Sequence, residues 1–174
     1  DPSVVDGDGV YRFTGPARVF TTEAAAIAAV KGQTDHPVTA GTVLILAGRG
    51  PQGAGMEETY QITSALKYSP WGKHVAVVTD ARLSGVSTGA CIGHVGPEAM
   101  EGGPIGKVRD GDRIRITIDR KRLTGSADYI GRDADHEISP AEGASELARR
   151  ETAENIGPDP QLPEDTRLWA ALLA

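Results

Sequence analysis

The sequence predicts an α/β or β-rich domain built from short strands and a few helices. Two apolar runs rich in β-branched residues, at positions 43–47 and 74–78, are typical of buried strands. Residues 113–118 alternate basic or polar with apolar side chains, the pattern of a strand with one buried face. Residues 24–30 are rich in alanine and predict a helix. A chain of 174 residues is long enough to enclose one substantial core.

Two short strands are predicted ahead of the first helix. Residues 10–13 alternate apolar and polar side chains and predict a half-buried strand. Gly15 and Pro16 are typical of a turn, and residues 17–20 then form the second strand.

The first helix carries a signal at each end. Thr21 or Thr22 offers a hydroxyl that can cap it, and Glu23 adds a favourable negative charge to its first turn. Gly32 follows the alanine-rich run and predicts where the helix ends.

A glycine-dense loop at residues 48–55 follows the strand at 43–47. Residues 56–67 predict a helix, with Glu57 and Glu58 in its first turn. Strand, glycine loop and helix are also the outline of a phosphate site. The Gly-Lys-Ser/Thr ending of a nucleotide P-loop is missing, and two acids at the helix start oppose an anion, so we predict no nucleotide site.

A long loop of small residues follows the strand at 74–78. Glycines recur through residues 85–96, and Ser84, Ser87 and Thr88 add hydroxyl groups. Polar side chains on a loop after a buried strand are a common way to build a functional site on a rigid base. A glycine turn with solvated hydroxyls is the alternative interpretation.

The next segment contains several short elements. Residues 98–100, after a Gly-Pro step, predict a short helix, and residues 105–108 predict a strand. Asp110 and Gly111 are typical of a hairpin turn leading into the strand at 113–118.

The last part of the chain is less regular. Residues 128–137 are charged and irregular, and Ser139 and Pro140 predict the start of a helix that continues to Arg150. We place a domain at residues 1–155 and a proline-marked linker with a short terminal helix at residues 156–174. Four apolar residues of that helix need a packing partner, either another part of the parent protein or a second subunit of a homo-oligomer: Leu168, Trp169, Leu172 and Leu173.

Charge and cysteine content exclude several classes of protein. The formal net charge of −6 argues against nucleic-acid binding, and no apolar run is long enough to cross a membrane. Cys91 is the only cysteine, which excludes an internal disulfide and fits a cytoplasmic protein. A packed apolar thiol is the favoured role for Cys91. The sequence begins with Asp1, and we therefore expect it to belong to a longer protein.

Residues 79–99, with the glycine-rich segment 101–106 and residues 109–112, resemble the C-terminal domain of the dihydroxy-acid dehydratase and phosphogluconate dehydratase family. The sequence of residues 83–94 is most similar to that of the sugar-acid branch of the family, the bacterial D-xylonate dehydratases. The resemblance implies an aconitase-like swivelling β/β/α domain, a small barrel-like sheet flanked by helices. It also implies an N-terminal domain outside this sequence.

The resemblance implies that Ser84 is the catalytic base. The matching serine of the family, as an alkoxide, takes the proton from the carbon beside the substrate carboxylate, helped by a nearby metal cation. The family also carries an iron–sulfur cluster on its N-terminal domain. One thiol, Cys91, cannot hold such a cluster, so its ligands are expected elsewhere and the isolated chain is expected to be inactive.

A magnesium ligand is implied at Glu58. The segment Gly55-Met56-Glu57-Glu58 matches a family motif whose last glutamate binds Mg²⁺, a cation that prefers hard oxygen ligands. Glu57 is the competing choice for the ligand. Alternatively, both glutamates have only a structural role, as acidic residues at the start of a helix.

Other contacts to the substrate are less sharply indicated. Ser87, Thr88 and His94 are the candidate substrate-binding residues, although a structural role for His94 is equally compatible with the sequence. Val86 stands where some relatives carry a hydroxyl. The expected reaction converts a sugar acid to a 2-keto-3-deoxy acid. The alternatives are dihydroxy-acid dehydration in branched-chain amino-acid synthesis and a stand-alone anion-binding module.

Overall fold

The structure is a computed structural model that describes residues 2–162, and it confirms the predicted α/β class. The strands are β1 (Val10–Phe20), β2 (Val43–Leu46), β3 (Glu58–Thr59), β4 (Ala76–Thr79), β5 (Arg82–Leu83), β6 (Ala90–Ile92), β7 (Arg113–Asp119) and β8 (Thr124–Tyr129). The helices are α1 (Glu23–Val30), α2 (Pro51–Ala54), α3 (Gln61–Lys67) and α4 (Pro140–Arg149). Short 3-10 turns occur at Pro2–Val4, Gly72–His74, Ala99–Glu101 and Pro104–Lys107. Within residues 2–162, none of the helices has the length and apolar character that a membrane crossing needs.

Six strands form one curled sheet in the order β6-β4-β2-β1-β7-β8. β6, β4, β2 and the end of β1 run parallel. The first part of β1 pairs antiparallel with β7, and β7 pairs antiparallel with β8. β3 and β5 form a separate two-stranded parallel ladder. The parallel half therefore presents the carboxyl ends of its strands at one edge, where ligands are commonly bound in open α/β sheets.

β1 is one continuous strand, whereas the sequence predicted two strands and a turn at Gly15 and Pro16. Residues 10–16 pair antiparallel with β7, and residues 17–20 pair parallel with β2. Pro16 lies where the strand changes partner, so its missing N–H costs little. Gly15 is required by a close approach, because a Cβ there would lie 1.9 Å from the carbonyl oxygen of Gly41.

The sheet separates two apolar cores. Val43 and Ile45 of β2 face one core and Leu44 and Leu46 face the other, which explains the unbroken apolar run in the sequence. Helices α1 and α3 cover the second core, whose buried members are Ala26, Ala29, Val30, Val38, Leu44, Leu46, Ile62, Leu66, Val75 and Val77.

The helix predicted at residues 56–67 begins later than expected. Gly55 and Met56 have φ angles of +63° and +60°, which interrupt any helix at this point. Glu58 and Thr59 then pair with β5, and the helix extends over Gln61–Lys67 only. Glu57 and Glu58 are therefore not residues of a first helical turn.

Three further short elements differ from the prediction. Residues 90–92, predicted as loop, form β6 because they pair with β4. The strand predicted at 105–108 is the 3-10 turn Pro104–Lys107, since Pro104 and Gly106 favour a turn, and Asp110 and Gly111 consequently join a turn to a strand. β8 was not predicted, because its sequence Thr-Gly-Ser-Ala-Asp-Tyr has little β propensity, and its pairing with β7 creates it.

Helix α4 begins with the cap that the sequence predicted. The N–H of Glu142 donates to Oγ of Ser139 (3.3 Å), and the N–H of Ser139 donates to the Glu142 carboxylate (2.9 Å). This reciprocal pair satisfies donors that the first turn of a helix otherwise leaves unpaired. The hydrogen bonds from the Ser139 side chain and backbone lower the pKa of Glu142.

Replacing Ser139 by alanine is expected to lower the free energy of unfolding by about 1 kcal/mol. The loss should shrink as the pH falls through the lowered pKa of Glu142, because the protonated carboxyl accepts these bonds poorly. Urea unfolding of the 174-residue chain, followed by circular dichroism, measures it. Ser145→Ala is the control, since that hydroxyl only returns to the Ala141 carbonyl (2.9 Å) within the same helix. Equal losses in both variants would contradict the capping role.

The described chain ends without a further helix. Residues 151–162 are irregular, and the N–H of Asp159 donates to the carbonyl oxygen of Gly53 (2.8 Å), so this segment packs back onto the α2 loop. The terminal helix predicted at residues 164–174 lies outside the described residues. The domain boundary at residue 155 stays a prediction.

Candidate active site beside the carboxyl edge of the parallel strands

The ladder of β3 and β5 brings the predicted metal ligand and the predicted base together. Its parallel register pairs Glu58 with Arg82 and Thr59 with Leu83. The N–H of Ser84 donates to the carbonyl oxygen of Thr59 (3.2 Å), which continues the pairing by one step. Side chains alternate along a strand, so positions 82 and 84 share the face on which Arg82 contacts Glu58. The backbones of Glu58 and Ser84, 26 positions apart in the chain, are thus brought close together by this ladder.

Ser84 lies at the start of a tight turn. The N–H of Ser87 donates to the Ser84 carbonyl (3.0 Å), and the Ser87 hydroxyl reaches the Thr59 carbonyl at 3.4 Å. Within residues 2–162 the Ser84 hydroxyl has no hydrogen-bond partner, so it is available to a ligand. Val86 is 70% exposed at the tip of the turn and places no hydroxyl there. Hydrogen bonds to the Thr59 carbonyl therefore hold the turn that carries Ser84 and Ser87.

The two candidate glutamates have different partners. Glu57 forms an ion pair with Arg49, whose side chain is only 7% exposed and also pairs with Asp159 at 2.8 Å. Glu58 is 43% exposed, and its carboxylate lies 3.4 Å from the Arg82 guanidinium. A carboxylate already engaged with a buried arginine is poorly placed to bind a cation. The geometry therefore favours Glu58 as the available oxygen ligand.

Arg82 is a site residue that the sequence analysis did not single out. Its Nε donates to the carbonyl oxygen of Met56 (3.1 Å), while its outer nitrogen contacts Glu58. Met56 has a φ of +60°, an uncommon conformation for a residue with a side chain. Arg82 belongs to segment 79–99, on which the family resemblance rests. Its positive charge two positions before Ser84 was the signal that could have identified it.

Asp80 fixes the loops that surround this ladder. It is 2% exposed, and its carboxylate accepts hydrogen bonds from the N–H groups of Gly48 (3.0 Å), Arg49 (2.9 Å) and Ala99 (3.0 Å). These donors come from the end of β2 and from the 3-10 turn after β6. One buried carboxylate thus ties these two segments to the carboxyl end of β4.

Glu98 has a similar role beside it. Its carboxylate accepts the N–H of Gln52 at the start of α2 (3.0 Å). Burial raises the pKa of Glu98, and the hydrogen bonds from Gln52 and Gly53 oppose that rise. A Cβ at Gly50 would lie 2.3 Å from a Glu98 oxygen, so this glycine permits the contact.

His94 returns to the same edge of the sheet after β6. Its N–H donates to the carbonyl oxygen of Ala81 (2.9 Å), one residue before Arg82. Its side chain is exposed and its φ is +55°, so a constrained backbone presents the imidazole to solvent. Such outliers are often found at functional sites.

Thr88 lies apart from the other candidates. It lines a cleft of about 500 Å³ with Leu66, Ser69 and Val75, next to Ala90. Ala90 pairs with Ala76 at the start of β4, whereas Ser84 follows the end of β4. The structure brings Glu58, Ser84, Ser87 and His94 toward one edge and does not bring Thr88 with them.

Side chains that could bind a metal ion are few in the part of the chain that the structure describes. Among residues 2–162 no group of three or more His, Cys, Asp or Glu side chains is arranged to hold a metal ion. Glu58 offers one exposed carboxylate, which fits a hard cation such as Mg²⁺ that takes few protein ligands. Cys91 is half-buried against the α1–α3 core, and burial raises the pKa of its thiol. The residues present do not fit an iron–sulfur cluster.

Comparison with known proteins identifies relatives for nearly the whole chain. Residues 2–164 match the family described as dihydroxy-acid/6-phosphogluconate dehydratase C-terminal. The chain is 58% identical over 172 residues to the D-xylonate dehydratase YagF of Escherichia coli K12 and 51% identical over 175 residues to its D-xylonate dehydratase YjhG. It covers 26% of each of these relatives, while they cover 99% and 100% of it. Dihydroxy-acid dehydratase 1 of Nocardia farcinica is 51% identical over 107 residues, 61% of the chain and 18% of that relative.

Proposed function

The chain belongs to the dihydroxy-acid/6-phosphogluconate dehydratase family as its C-terminal domain, and from this we propose that it serves a hydro-lyase acting on a sugar acid of the D-xylonate type. The product would be a 2-keto-3-deoxy acid. The observation that carries the proposal is the β3–β5 ladder, in which the exposed Glu58 pairs with Arg82 and the N–H of Ser84 donates to the carbonyl oxygen of Thr59. The Ser84 hydroxyl has no hydrogen-bond partner among residues 2–162, which supports its availability to a ligand. The remainder of the site would come from the N-terminal domain of a longer cytoplasmic protein.

Ser84 would move the proton. Its oxygen, as an alkoxide, would take the proton from the carbon next to the substrate carboxylate, while the bond from the following carbon to its hydroxyl breaks and that hydroxyl leaves as water with a proton from solvent. The enol that remains becomes the ketone by taking a proton at the carbon that lost its hydroxyl and releasing the proton of its own O–H, and the serine returns the proton it took to solvent. A free serine is a weak base, so this role needs positive charge near its oxygen. Arg82 lies two positions before Ser84 in this chain, with its guanidinium against Glu58.

Glu58 would hold Mg²⁺ together with ligands from the N-terminal domain. The bound cation would supply positive charge that makes the serine hydroxyl a stronger acid and stabilises the enolate. Glu57 would instead stay with Arg49, which keeps the register of the ladder. An iron–sulfur cluster is proposed for the N-terminal domain only, because Cys91 alone cannot bind one.

Substrate hydroxyls and carboxylate would contact the groups around Ser84. We propose Ser87 and His94 as such contacts, because both approach this edge of the sheet. Arg82 is a further candidate for the carboxylate, since a guanidinium matches its geometry. Thr88 has less support as a substrate contact, because it lines a cleft beside Ala90, which pairs with the start of β4.

Glu58→Gln in the full-length protein is expected to weaken Mg²⁺ binding by roughly 10–100-fold. Losses of this size are seen when residues that hydrogen-bond to the metal ligands are replaced. The amide keeps the size and one oxygen but removes the charge that a hard cation prefers. Isothermal titration with Mg²⁺ measures the change. Glu57→Gln is the matched control and should leave Mg²⁺ affinity within about twofold. The opposite ranking would shift the assigned ligand by one residue.

A substrate assay tests the proposed function. The full-length protein should convert D-xylonate or a related aldonate to a keto acid, detected with a hydrazine reagent, and should be slower with 2,3-dihydroxy-isovalerate. Turnover of the dihydroxy acid without turnover of any aldonate would assign the protein to branched-chain amino-acid synthesis, the alternative that the Nocardia relative favours. The anion-binding module is not supported, because the family match over residues 2–164 extends far beyond the glycine loop.

A further inference from the structure

β8 is an edge strand of the sheet formed by residues 2–162. Among these residues it pairs with β7 only, and Thr124, Gly125, Ser126 and Ala127 are exposed. Edge strands are usually protected by lysine, proline, a bulge or a covering element, because their unpaired backbone groups can pair with another chain. Residues 124–127 contain none of these residue types. α4 covers only the far end of β8, where Gly143 packs against the carbonyl of Tyr129.

The hydrogen-bond register shows which backbone groups are unpaired. The N–H of Ile130 donates to the carbonyl of Arg113, so residue 130 faces β7. The direction of the backbone N–H and C=O groups alternates along an antiparallel ladder. Those of Ser126 and Asp128 therefore also point toward β7, whereas those of Gly125 and Ala127 point away from it. The N–H of Arg120 donates to Gly9 on the β1 side of β7, which gives the same alternation.

We propose that two copies of this chain associate through antiparallel pairing of their β8 strands about a twofold axis at Ser126. In this register Gly125 of one copy pairs with Ala127 of its partner and the reverse, and each pair exchanges two backbone hydrogen bonds. The two sheets then form one continuous sheet. The side chains are small enough for close approach, and identical surfaces meet as an isologous interface requires.

Charge complementarity favours a second copy as the partner. The β7–β8 turn carries Arg120, Lys121 and Arg122, and two acidic residues, Asp133 and Asp135, follow β8. The next acid, Glu137, is already paired with Arg113 and Arg115 of its own chain. Antiparallel pairing about Ser126 directs the basic turn of each copy toward Asp133 and Asp135 of the other. The Arg122 side chain is 84% exposed and lies 3.8 Å from Asp119, so it is only weakly held within its own chain. These contacts offset the repulsion between two chains of net charge −6.

Cysteine cross-linking tests the register. In the full-length protein Ser126→Cys is expected to give a disulfide-linked dimer under mild oxidation, because residue 126 meets its own copy at a position where antiparallel Cα atoms are close. Thr124→Cys is the matched control, since position 124 would face position 128 of the partner and not itself. Both variants retain Cys91, which controls for background. No dimer with Ser126→Cys, or equal dimer with both variants, would overturn the proposal.

Amide hydrogen exchange gives an independent readout. The N–H groups of Gly125 and Ala127 should be protected increasingly as protein concentration rises, and that of Ser126 should be protected throughout because it faces β7. Ala127→Pro removes one outward donor without touching the β7 ladder, and it should abolish the concentration dependence and shift the sedimentation coefficient toward the smaller species. Protection of Gly125 and Ala127 that is independent of concentration would instead show that another part of the same polypeptide covers this edge, and would overturn the proposal.

Discussion

Replacing Ser84 by alanine in the full-length protein is expected to reduce turnover of the aldonate by about 10²–10⁴-fold or more, the range typical for loss of a general base. The Ser84 hydroxyl makes no hydrogen bond within residues 2–162, so its removal breaks no contact that holds the fold. Melting temperature, Mg²⁺ affinity and substrate affinity should therefore change little. Steady-state kinetics and thermal unfolding on the same preparation measure the separation of the two effects.

Ser87→Ala is the matched control for this experiment. Ser87 lies in the same turn, but its hydroxyl has only a long contact of 3.4 Å with the Thr59 carbonyl. We expect it to raise KM while leaving most of kcat, as loss of a binding contact does. A Ser84→Ala variant that retained a tenth of the activity while Ser87→Ala lost it would place the base at Ser87. Early melting of Ser84→Ala would assign the serine a structural role.

Asp80→Asn is expected to destabilise the domain by about 2–4 kcal/mol, because it converts one acceptor of a buried, fully used carboxylate into a donor. The best orientation of the amide keeps its oxygen toward Gly48 and Ala99 and leaves its NH₂ facing the N–H of Arg49. One buried donor then has no acceptor. Urea unfolding of the 174-residue chain gives the loss in free energy.

Asp133→Asn is the control for Asp80. Its carboxylate also accepts a backbone N–H, that of Asp135 (2.9 Å), but its side chain is 60% exposed and water can replace the bond. The loss of stability should therefore be much smaller than that of Asp80→Asn. If the two variants lost the same amount of stability, the carboxylate of Asp80 would not be the tie between β2, β4 and the turn after β6.

The elements that the sequence predicted well are those with a local signal. The apolar runs at β2 and β4, the alternation in β7 and the caps at Thr22 and Ser139 are readable without knowledge of partners. β8, β6 and the short β3 have weak propensity and exist because a neighbouring strand pairs with them. Continuity of β1 through Pro16 likewise depends on its change of partner and could not be predicted from the turn residues themselves.

The candidate site shows the same division. The motif identified Ser84, Glu58 and the competing Glu57. The structure distinguishes the two glutamates by their partners, because Glu57 pairs with the buried Arg49 and Glu58 with the exposed Arg82. Arg82 was missed because its role depends on the ladder that brings it to Glu58 and Met56. Thr88 follows Ser87 in sequence, yet the turn back into β6 carries it to the other end of β4. The family resemblance implied the candidate residues, whereas the pairing of β3 with β5 determines which of them lie on neighbouring strands.

A double-mutant cycle tests most directly whether Glu58 and Ser84 form one active site. The rate kcat/KM is measured for the full-length protein, for Glu58→Gln, for Ser84→Ala and for the double variant at saturating Mg²⁺. Residues that act as a unit have strongly non-additive effects, so the double variant is expected to be about as slow as the slower single variant. A double variant whose loss equals the product of the two single losses would show that the residues act independently and would contradict the shared site.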